Sequence, residues 1–283
     1  MQSKRFVDLP VYCVIEIIEW LPITDQIRLM RINSEFKSII KSQLNGRCHL
    51  TINSSFVIKC QNRYADQIFY SEADVYRIMR RDFDCNQIRA LKVLEYVPNI
   101  ISLNWSRLPF TAAIGDLLVN RCPKVKHLTV RECGHSAGLL NFVNKLRIQI
   151  ETLRLKAVDE TTSAYLVSIC TNLKHLSTDH LLNGPLLIRI VGPKLKTLCL
   201  NRSEFNNDET FDAISESCHN LQTLKIVSQN FVSRANLTKL TNSIQDLLSI
   251  SLTVASHDIE LLVKFRKLKV IEINRYRKRL RSD

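Results

Sequence analysis

Residues 122–130 read Cys122-Pro123-Lys124-Val125-Lys126-His127-Leu128-Thr129-Val130, and the spacing of the apolar positions after the cysteine recurs along the chain. The recurring form is an aliphatic residue, two other residues, a leucine or isoleucine, one more residue and, in most copies, a further apolar residue. The middle residues of the eight triplets are Leu103, Leu128, Leu153, Leu176, Leu198, Leu224, Ile250 and Ile271. Successive middle residues are 21 to 26 positions apart. Most of the chain is therefore built from one repeated unit.

The triplet predicts its own structure. Its last two members are two positions apart, so they point to the same face of a short strand, and the first marks the turn into it. Helix-like segments such as residues 163–169 and 209–214 lie between triplets. One unit cannot bury enough apolar surface to fold alone, whereas a stack that shares its core can. We predict an α/β solenoid with parallel strands on its concave face and helices outside. Its period is that of leucine-rich repeats, roughly 20–29 residues.

Three cysteines support a repeat with fixed positions. Cys122, Cys170 and Cys218 are 48 residues apart, which is two repeats each time. This regularity indicates a buried small residue in one position of the repeat rather than metal ligands. The chain has nine cysteines, and neither a signal peptide nor an apolar run of membrane-spanning length is visible. We therefore expect reduced thiols and a cytoplasmic or nuclear protein without a membrane segment.

Residues 6–40 form a second informative segment. Pro10 suits the first turn of a helix, where its missing N–H is not needed, and Pro22 ends that helix. Thr24 or Asp25 can cap the next helix. Apolar residues at helical spacing continue to residue 40. Taken alone, the pattern is that of a helical cap on the solenoid, since terminal repeats need capping.

The same segment resembles an F-box, a three-helix module, and aligns to it without a gap. Its Leu-Pro opening and its later aliphatic, proline and acidic positions match the family, and Phe36 stands where the family often has tryptophan. Tyr12 and Asn33 depart from the family pattern. With its cysteine-containing repeats, the chain as a whole resembles F-box/leucine-rich-repeat proteins.

The resemblance implies a substrate receptor of an SCF-type cullin–RING ubiquitin ligase. The F-box would bind a Skp-type adaptor, which joins the cullin and the RING subunit, and the repeats would bind a target protein of unknown identity. Neither a catalytic residue, a cofactor nor a metal is expected. Which adaptor-binding residues are exposed and which form the module's own core stays open. The expected adaptor-binding residues are Leu9, Pro10, Ile17, Leu21, Pro22, Ile27, Leu29, Ile32 and Phe36.

The repeats also predict a target-binding surface. Residues that flank the inward leucine of each strand point to the concave face, which curved repeat proteins commonly use for binding. These residues are polar and mostly small, with a basic cluster at Arg131, Arg154, Lys156 and Lys225. A purely solvated sheet would have a similar composition, so both readings stay open. The candidate residues are His127, Thr129, Arg131, Arg154, Lys156, His175, Ser177, Asp179, Asn201 and Lys225.

We place the F-box at residues 1–45, the solenoid at 46–274 and a basic tail at 275–283. The part from 46 to 98 is less regular. A first strand is expected near residues 48–52, and helices at 72–81 and 88–94. These elements correspond to one or two irregular repeats whose register the sequence does not define.

Two other functions remain open. A net charge of +13 suggests nucleic-acid binding by the tail between Arg275 and Arg281 and the basic concave residues, although most of the charge is spread thinly over the repeats. The inward position of Trp105 also leaves no aromatic on the concave face for base stacking. The chain could also be a scaffold protein whose F-box binds the adaptor without taking part in ubiquitination. An enzyme is the last alternative, since its one candidate group is a Cys133–His135 thiol–imidazole pair.

Overall fold

The computed structural model describes residues 9–21, 23–53, 59–61, 94, 96–107, 110–133 and 137–273. Three helices form the N-terminal module, and ten strands form one sheet. In this described part of the chain, six α-helices and three 3-10 helices lie between the later strands. The N-terminal helices are α1 (Val11–Trp20), α2 (Ile23–Leu29) and α3 (Ser34–Asn45).

The ends and inner faces of these helices follow from particular residues. Pro10 precedes α1, as the sequence predicts, and Val14 and Ile18 form its buried face. Asn33 caps α3, because its side chain accepts a hydrogen bond of 2.7 Å from the Phe36 N–H. Asp25 lies inside the first turn of α2 rather than at its cap, where its negative charge suits the helix dipole.

The predicted row of leucines and isoleucines runs across the sheet. The eight middle residues of the triplets are direct neighbours on adjacent parallel strands, from Leu103 to Ile271. The predicted α/β solenoid with parallel strands is thereby confirmed. The strands are β1 (His49–Asn53), β2 (Lys59–Gln61), β3 (Ser102–Ser106), β4 (His127–Arg131), β5 (Thr152–Lys156), β6 (His175–Thr178), β7 (Thr197–Leu200), β8 (Thr223–Ile226), β9 (Ser249–Leu252) and β10 (Val270–Ile273).

Helices cover one face of the sheet. Polar residues cap several of them: Thr111, Asp159, Asn207 and Ser233 each accept a hydrogen bond from a backbone N–H in the first turn. The helices are α4 (Ala112–Arg121), α5 (Ala137–Leu146), α6 (Glu160–Ile169), α7 (Gly184–Val191), α8 (Asp208–Ser217) and α9 (Arg234–Ser243). The 3-10 helices are Gly192–Lys194, Ser203–Phe205 and Ser256–Lys264.

Two glycines let neighbouring helices touch through their backbones. A Cβ atom on Gly138 of α5 would lie 2.0 Å from the Thr111 carbonyl oxygen at the start of α4. A Cβ on Gly115 of α4 would lie 2.4 Å from the Gly138 carbonyl oxygen. Since real Cβ atoms do not approach this closely, α4 and α5 can pack in this way only with glycine at both positions.

The irregular part of the chain contributes one parallel strand. β1, expected near residues 48–52, pairs directly with β3, so that Leu50 neighbours Leu103 although 53 residues separate them. β2 adds an antiparallel strand on the other side of β1. Of the two helices expected before β3, the one at 72–81 lies outside the described residues, as does the other except for Leu94, which is helical and buried.

The last triplet is less buried than its predecessors. Ile271 lies in the predicted register on β10, but its side chain is 47% exposed because β10 is the last described strand. The apolar residues of the N-terminal helices and of the repeats otherwise form one continuous core. Within the described part of the chain, no helix is long and apolar enough to cross a lipid bilayer.

Candidate functional site

The nine expected adaptor-binding residues fall into distinct classes of exposure. Pro10, Ile17 and Ile32 are exposed, the last two at 40% and 67%. Phe36 is buried and belongs to the module's own core. Pro22 lies outside the described residues. The half-buried residues are Leu9, Leu21, Ile27 and Leu29.

The structure adds exposed apolar and aromatic side chains that sequence reasoning missed. Trp20 is 85% exposed and Tyr12 is 69% exposed, both on α1, and Val11 is also exposed. Helical spacing from the buried pair Val14 and Ile18 could have placed Tyr12 and Trp20 on the outer face of α1, but not Val11, which shares the helix face of Val14. We call Val11, Tyr12, Ile17, Trp20 and Ile32 the F-box apolar surface. Large apolar side chains that are exposed on one small module are typical of a protein-binding site.

Two buried polar side chains join the N-terminal module to the sheet. The Gln26 amide donates hydrogen bonds of 2.8 Å to the carbonyl oxygens of Ile18 and Leu21 at the end of α1. Its oxygen accepts a hydrogen bond of 3.1 Å from the Arg47 guanidinium, just before β1. In the same region, the Asn99 side chain donates to the Asn45 carbonyl oxygen at the end of α3. The module therefore has a fixed attachment to the first strands.

The open face of the sheet, opposite the helices, carries the residues predicted for it. Burial alternates along β3, β4, β6, β7 and β8, with the middle leucine inside. Trp105 is buried, as predicted. A central row of side chains crosses the open face, and each parallel strand contributes to it the residue that follows its middle residue. That row is Thr51, Asn104, Thr129, Arg154, Ser177, Cys199, Lys225, Ser251 and Glu272.

A depression of about 320 Å³ lies on this face across β4 to β7. Seven of the ten candidate residues for target binding line it, and His127, Asp179 and Lys225 do not. His127 lies on the same strand as part of the lining, and Lys225 lies one strand beyond it. The lining consists of Thr129, Arg131, Arg154, Leu155, Lys156, His175, Leu176, Ser177, Thr197, Cys199 and Asn201. Asp179 follows β6 and binds Asn201 at 3.1 Å.

The predicted basic cluster of Arg131, Arg154, Lys156 and Lys225 divides into two parts. Lys225 on β8 lies 3.6 Å from the Glu272 carboxylate on β10. This ion pair can pass over β9 because the residue between the two partners on that strand is the small Ser251. Arg131 and Lys156, in contrast, are direct neighbours on β4 and β5. With Arg154, they form what we call the basic patch.

Two histidines bind threonines at the entrance to neighbouring strands. His127 Nδ1 lies 2.8 Å from Thr152 Oγ1, and His175 Nδ1 lies 3.0 Å from Thr197 Oγ1. Burial lowers the pKa of both histidines, although Glu151 acts in the opposite direction on His127. At neutral pH both rings are therefore uncharged hydrogen-bonding groups.

The repeated cysteines occupy the core, as predicted. Cys122, Cys170 and Cys218 are fully buried at the ends of α4, α6 and α8. Burial raises the pKa of Cys170 and Cys218 to about 12. Burial also raises the pKa of Cys199 on the open face, against the opposite effect of Lys225 and Arg154. These three thiols are therefore protonated and unreactive at neutral pH.

Cys133, the other half of the expected thiol–imidazole pair, is buried. Its thiol donates to the Arg131 carbonyl oxygen at 3.1 Å. His135 lies outside the described residues, so the pair stays a prediction.

Polar side chains also connect the repeats along the edge where the strands begin. Gln149 donates to the Pro123 carbonyl oxygen at 2.7 Å, and Asn220 donates to the Pro193 carbonyl oxygen at 2.9 Å. Each bond reaches back by one repeat. In several repeats, the residue directly before the first aliphatic of the triplet is an asparagine or a glutamine. This recurrence is the sequence signal that could have predicted these hydrogen bonds between repeats.

A second depression, of about 590 Å³, lies along this edge and is lined by several lysines. Glu151 binds two of them, with its carboxylate oxygens 2.8 Å from Lys174 Nζ and 3.3 Å from Lys126 Nζ. The hydrogen bond from Lys174, followed by that from Lys126, lowers the pKa of Glu151. Lys194 is also engaged, since it donates to the Thr171 carbonyl oxygen. Most of the positive charge on this edge therefore has a partner.

One cluster has the residue types of a metal site. His180 Nδ1 lies 3.6 Å from Glu160 Oε1 and 3.8 Å from Glu204 Oε1. Both carboxylates are about half exposed. Exposed carboxylates beside a histidine are common without a metal, so the geometry does not require an ion.

Comparison with protein families identifies the N-terminal module. Residues 6–47 match the family model of the F-box domain. The chain thus carries an F-box domain, as the sequence predicted, followed by a solenoid of parallel strands and helices. A comparison with curated proteins gives no match.

Proposed function

We propose that this chain is the substrate-recognition subunit of an SCF-type cullin–RING ubiquitin ligase. The observation that carries the proposal is the F-box match over residues 6–47, together with the exposed F-box apolar surface. The F-box would bind a Skp-type adaptor, and through it the cullin and the RING subunit. The open face of the repeats, of the leucine-rich type with cysteines, would bind the target protein.

The chain would act by tethering rather than by chemistry. Holding the target on one surface and the ligase on another raises their effective concentration, which requires no catalytic residue. The buried thiols described above fit this role, because their raised pKa values keep them from acting as nucleophiles. Such a ligase subunit would work in the cytoplasm or the nucleus.

The F-box apolar surface offers a direct test. The full-length chain is co-expressed with a Skp-type adaptor, and recovery of the adaptor is compared between wild type and Ile17→Glu/Ile32→Glu. Both side chains are exposed, so the variant should fold while the charges prevent an apolar contact. We expect adaptor recovery to fall at least about tenfold, as for loss of central interface residues. Val263→Glu is the control, because Val263 is 82% exposed on the far part of the chain.

A second experiment separates the ligase from a scaffold. The wild type and Leu9→Ala/Pro10→Ala are purified from cells, and cullin and adaptor are quantified. Loss of both in the variant supports the ligase subunit. Adaptor without cullin in the wild type would instead indicate an F-box scaffold outside ubiquitination. Equal recovery of cullin with both proteins would refute the proposal.

A further inference from the structure

Cations on the open face differ in whether an acidic side chain neutralises them. Lys225 is paired with Glu272, as described above. Arg131, Arg154 and Lys156 have no ion-pair partner among the described residues. The unneutralised charge is therefore concentrated on β4 and β5, at the depression of about 320 Å³.

The arrangement of this basic patch costs stability. Arg131 and Lys156 are directly opposite each other on adjacent parallel strands, and like charges in that position repel. Arg154 lies two residues before Lys156 on the same strand and so on the same face. Three cations are thus kept close together by the backbone register, without a side chain to offset them.

Asp179, which bonds to the lining residue Asn201, has partners outside the basic patch. One oxygen of the Asp179 carboxylate accepts a hydrogen bond of 3.1 Å from the Ala157 N–H, and the other accepts one of 3.1 Å from Asn201. The first bond stabilises a turn in which Ala157 has a positive φ of 50°. Asp179 therefore supports the backbone at this place rather than pairing with the patch.

The surroundings of Arg154 leave room for a ligand. Its neighbours in the central row are the small residues Thr129 and Ser177. His175 and Cys199, which line the same depression, are uncharged at neutral pH. The volume of about 320 Å³ is at the lower end of the range for ligand pockets, roughly 300–1,000 Å³. The site thus has free cations at one end and hydrogen-bonding groups at the other.

We infer that the basic patch binds an acidic segment of the target protein, with carboxylate or phosphate groups on Arg131, Arg154 and Lys156. This inference rests on the proposed function, since it specifies which targets the open face accepts. Arginine is well suited to either anion because its planar guanidinium can donate two parallel hydrogen bonds. A peptide fits the patch better than a single-stranded nucleic acid, because the described open face exposes no Phe, Tyr or Trp ring for base stacking.

The test uses the full-length chain and labelled peptides. One peptide alternates glutamate and serine over eight residues, a second carries phosphoserine at the serines, and a third has glutamine in place of glutamate. Binding is measured by fluorescence anisotropy for wild type and for Arg131→Gln/Arg154→Gln/Lys156→Gln. We expect an acidic peptide to bind the wild type, and the triple variant to bind it at least about tenfold more weakly. The first two peptides distinguish carboxylate from phosphate as the anion.

A charge-matched variant distinguishes a defined site from general attraction. Lys145→Gln/Arg147→Gln/Lys264→Gln removes the same number of positive charges from exposed positions outside the sheet. It should bind the acidic peptide within about twofold of wild type, because distant surface charges are screened by salt. Lys225→Gln should also have little effect. An equal loss in the control triple variant would overturn the inference, as would equal binding of the glutamine peptide or no binding of either acidic peptide.

An RNA oligonucleotide of equal charge is the remaining competitor. If it binds more tightly than both acidic peptides and depends on the same three residues, the patch is a nucleic-acid site and the inference fails. Adaptor recovery is measured on the same variants. It should be unchanged by the triple substitution, since these residues are far along the chain from the F-box. Peptide binding therefore tests the basic patch, and adaptor recovery separately tests the proposed function.

Discussion

Gln26 accepts a hydrogen bond of 3.1 Å from the guanidinium of Arg47, and both side chains are buried. Gln26 lies on α2, and Arg47 lies between α3 and β1. Through this contact, and through the bonds of Gln26 to the end of α1, all three F-box helices are tied to the start of the sheet. The F-box apolar surface and the open face thus belong to one connected structure.

Gln26→Ala should destabilise the chain. The substitution removes the buried amide that hydrogen-bonds to the Ile18 and Leu21 carbonyl oxygens and to Arg47, and the loss of such a buried partner costs about 1–3 kcal/mol. Urea unfolding monitored by circular dichroism measures the loss. Gln245→Ala is the control, since Gln245 is exposed and should change stability by less than about 0.5 kcal/mol. Equal stability of the two variants would show that the buried amide is dispensable.

Gly138→Ala should destabilise the contact between α4 and α5. The added methyl group would lie 2.0 Å from the Thr111 carbonyl oxygen, so the helices must move apart. Overpacking of this kind costs about 1–3 kcal/mol. Gly46→Ala is the matched control, because the nearest atom to its new Cβ would be 3.5 Å away. Both are compared by thermal unfolding, and an unchanged midpoint for Gly138→Ala would contradict the close approach.

The stability of the solenoid should fall as the pH falls below about 6.5, the ordinary histidine pKa. Burial lowers the pKa of His127 and His175 in the folded chain, so the unfolded chain binds more protons in that range. The stabilisation is complete above the ordinary pKa and is lost as the pH falls towards the lowered values. Unfolding free energies between pH 8 and pH 5 test this.

The double variant His127→Gln/His175→Gln should have a flatter pH profile than wild type. His219→Gln, at an exposed position, should keep the wild-type slope. If the double variant retains that slope as well, other groups cause the pH dependence. Glu151 acts in a lower range, because its lowered pKa adds stability that is complete above the ordinary value of 4.5 and is lost as the pH falls towards the lowered pKa.

Thiol labelling should distinguish core cysteines from surface cysteines. Cys170 and Cys218 are fully buried and have pKa values of about 12, so the thiolate that reacts is scarce and inaccessible. Cys13 and Cys48 are only half-buried. Pulses of iodoacetamide at pH 7.5, followed by peptide mass spectrometry, should label the second pair first. The difference should vanish in guanidinium chloride. Labelling of Cys170 at the rate of Cys13 in the folded chain would refute the core position.

The sequence allowed the repeats to be placed because their signal is local. The triplet spacing predicts which side chains are inside, and the row from Leu103 to Ile271 confirms that register. Thr178 occupies an apolar position of the triplet, yet it fits there because its hydroxyl donates to the His180 carbonyl oxygen. The F-box was recognisable for a similar reason, since its motif lies within one short segment.

Relationships between distant residues could not be predicted in the same way. Lys225 and Glu272 are 47 positions apart, and only the strand register brings them together. Their pairing decides which cations stay free, and with that the location of the basic patch. The exposure of Trp20 and the burial of Phe36 also depend on how three helices pack, which apolar spacing alone leaves open.

The direct pairing of β1 with β3 has a consequence for the order of folding. Leu50 and Leu103 close a loop of 53 residues, whereas later neighbours in the sheet are 21 to 26 residues apart. Each doubling of loop length adds about 0.6 kcal/mol of closure entropy. The repeats from β3 onward can therefore assemble first, and the F-box joins them late. If the proposed function holds, a chain caught before that step would bind its target without delivering it to the ligase.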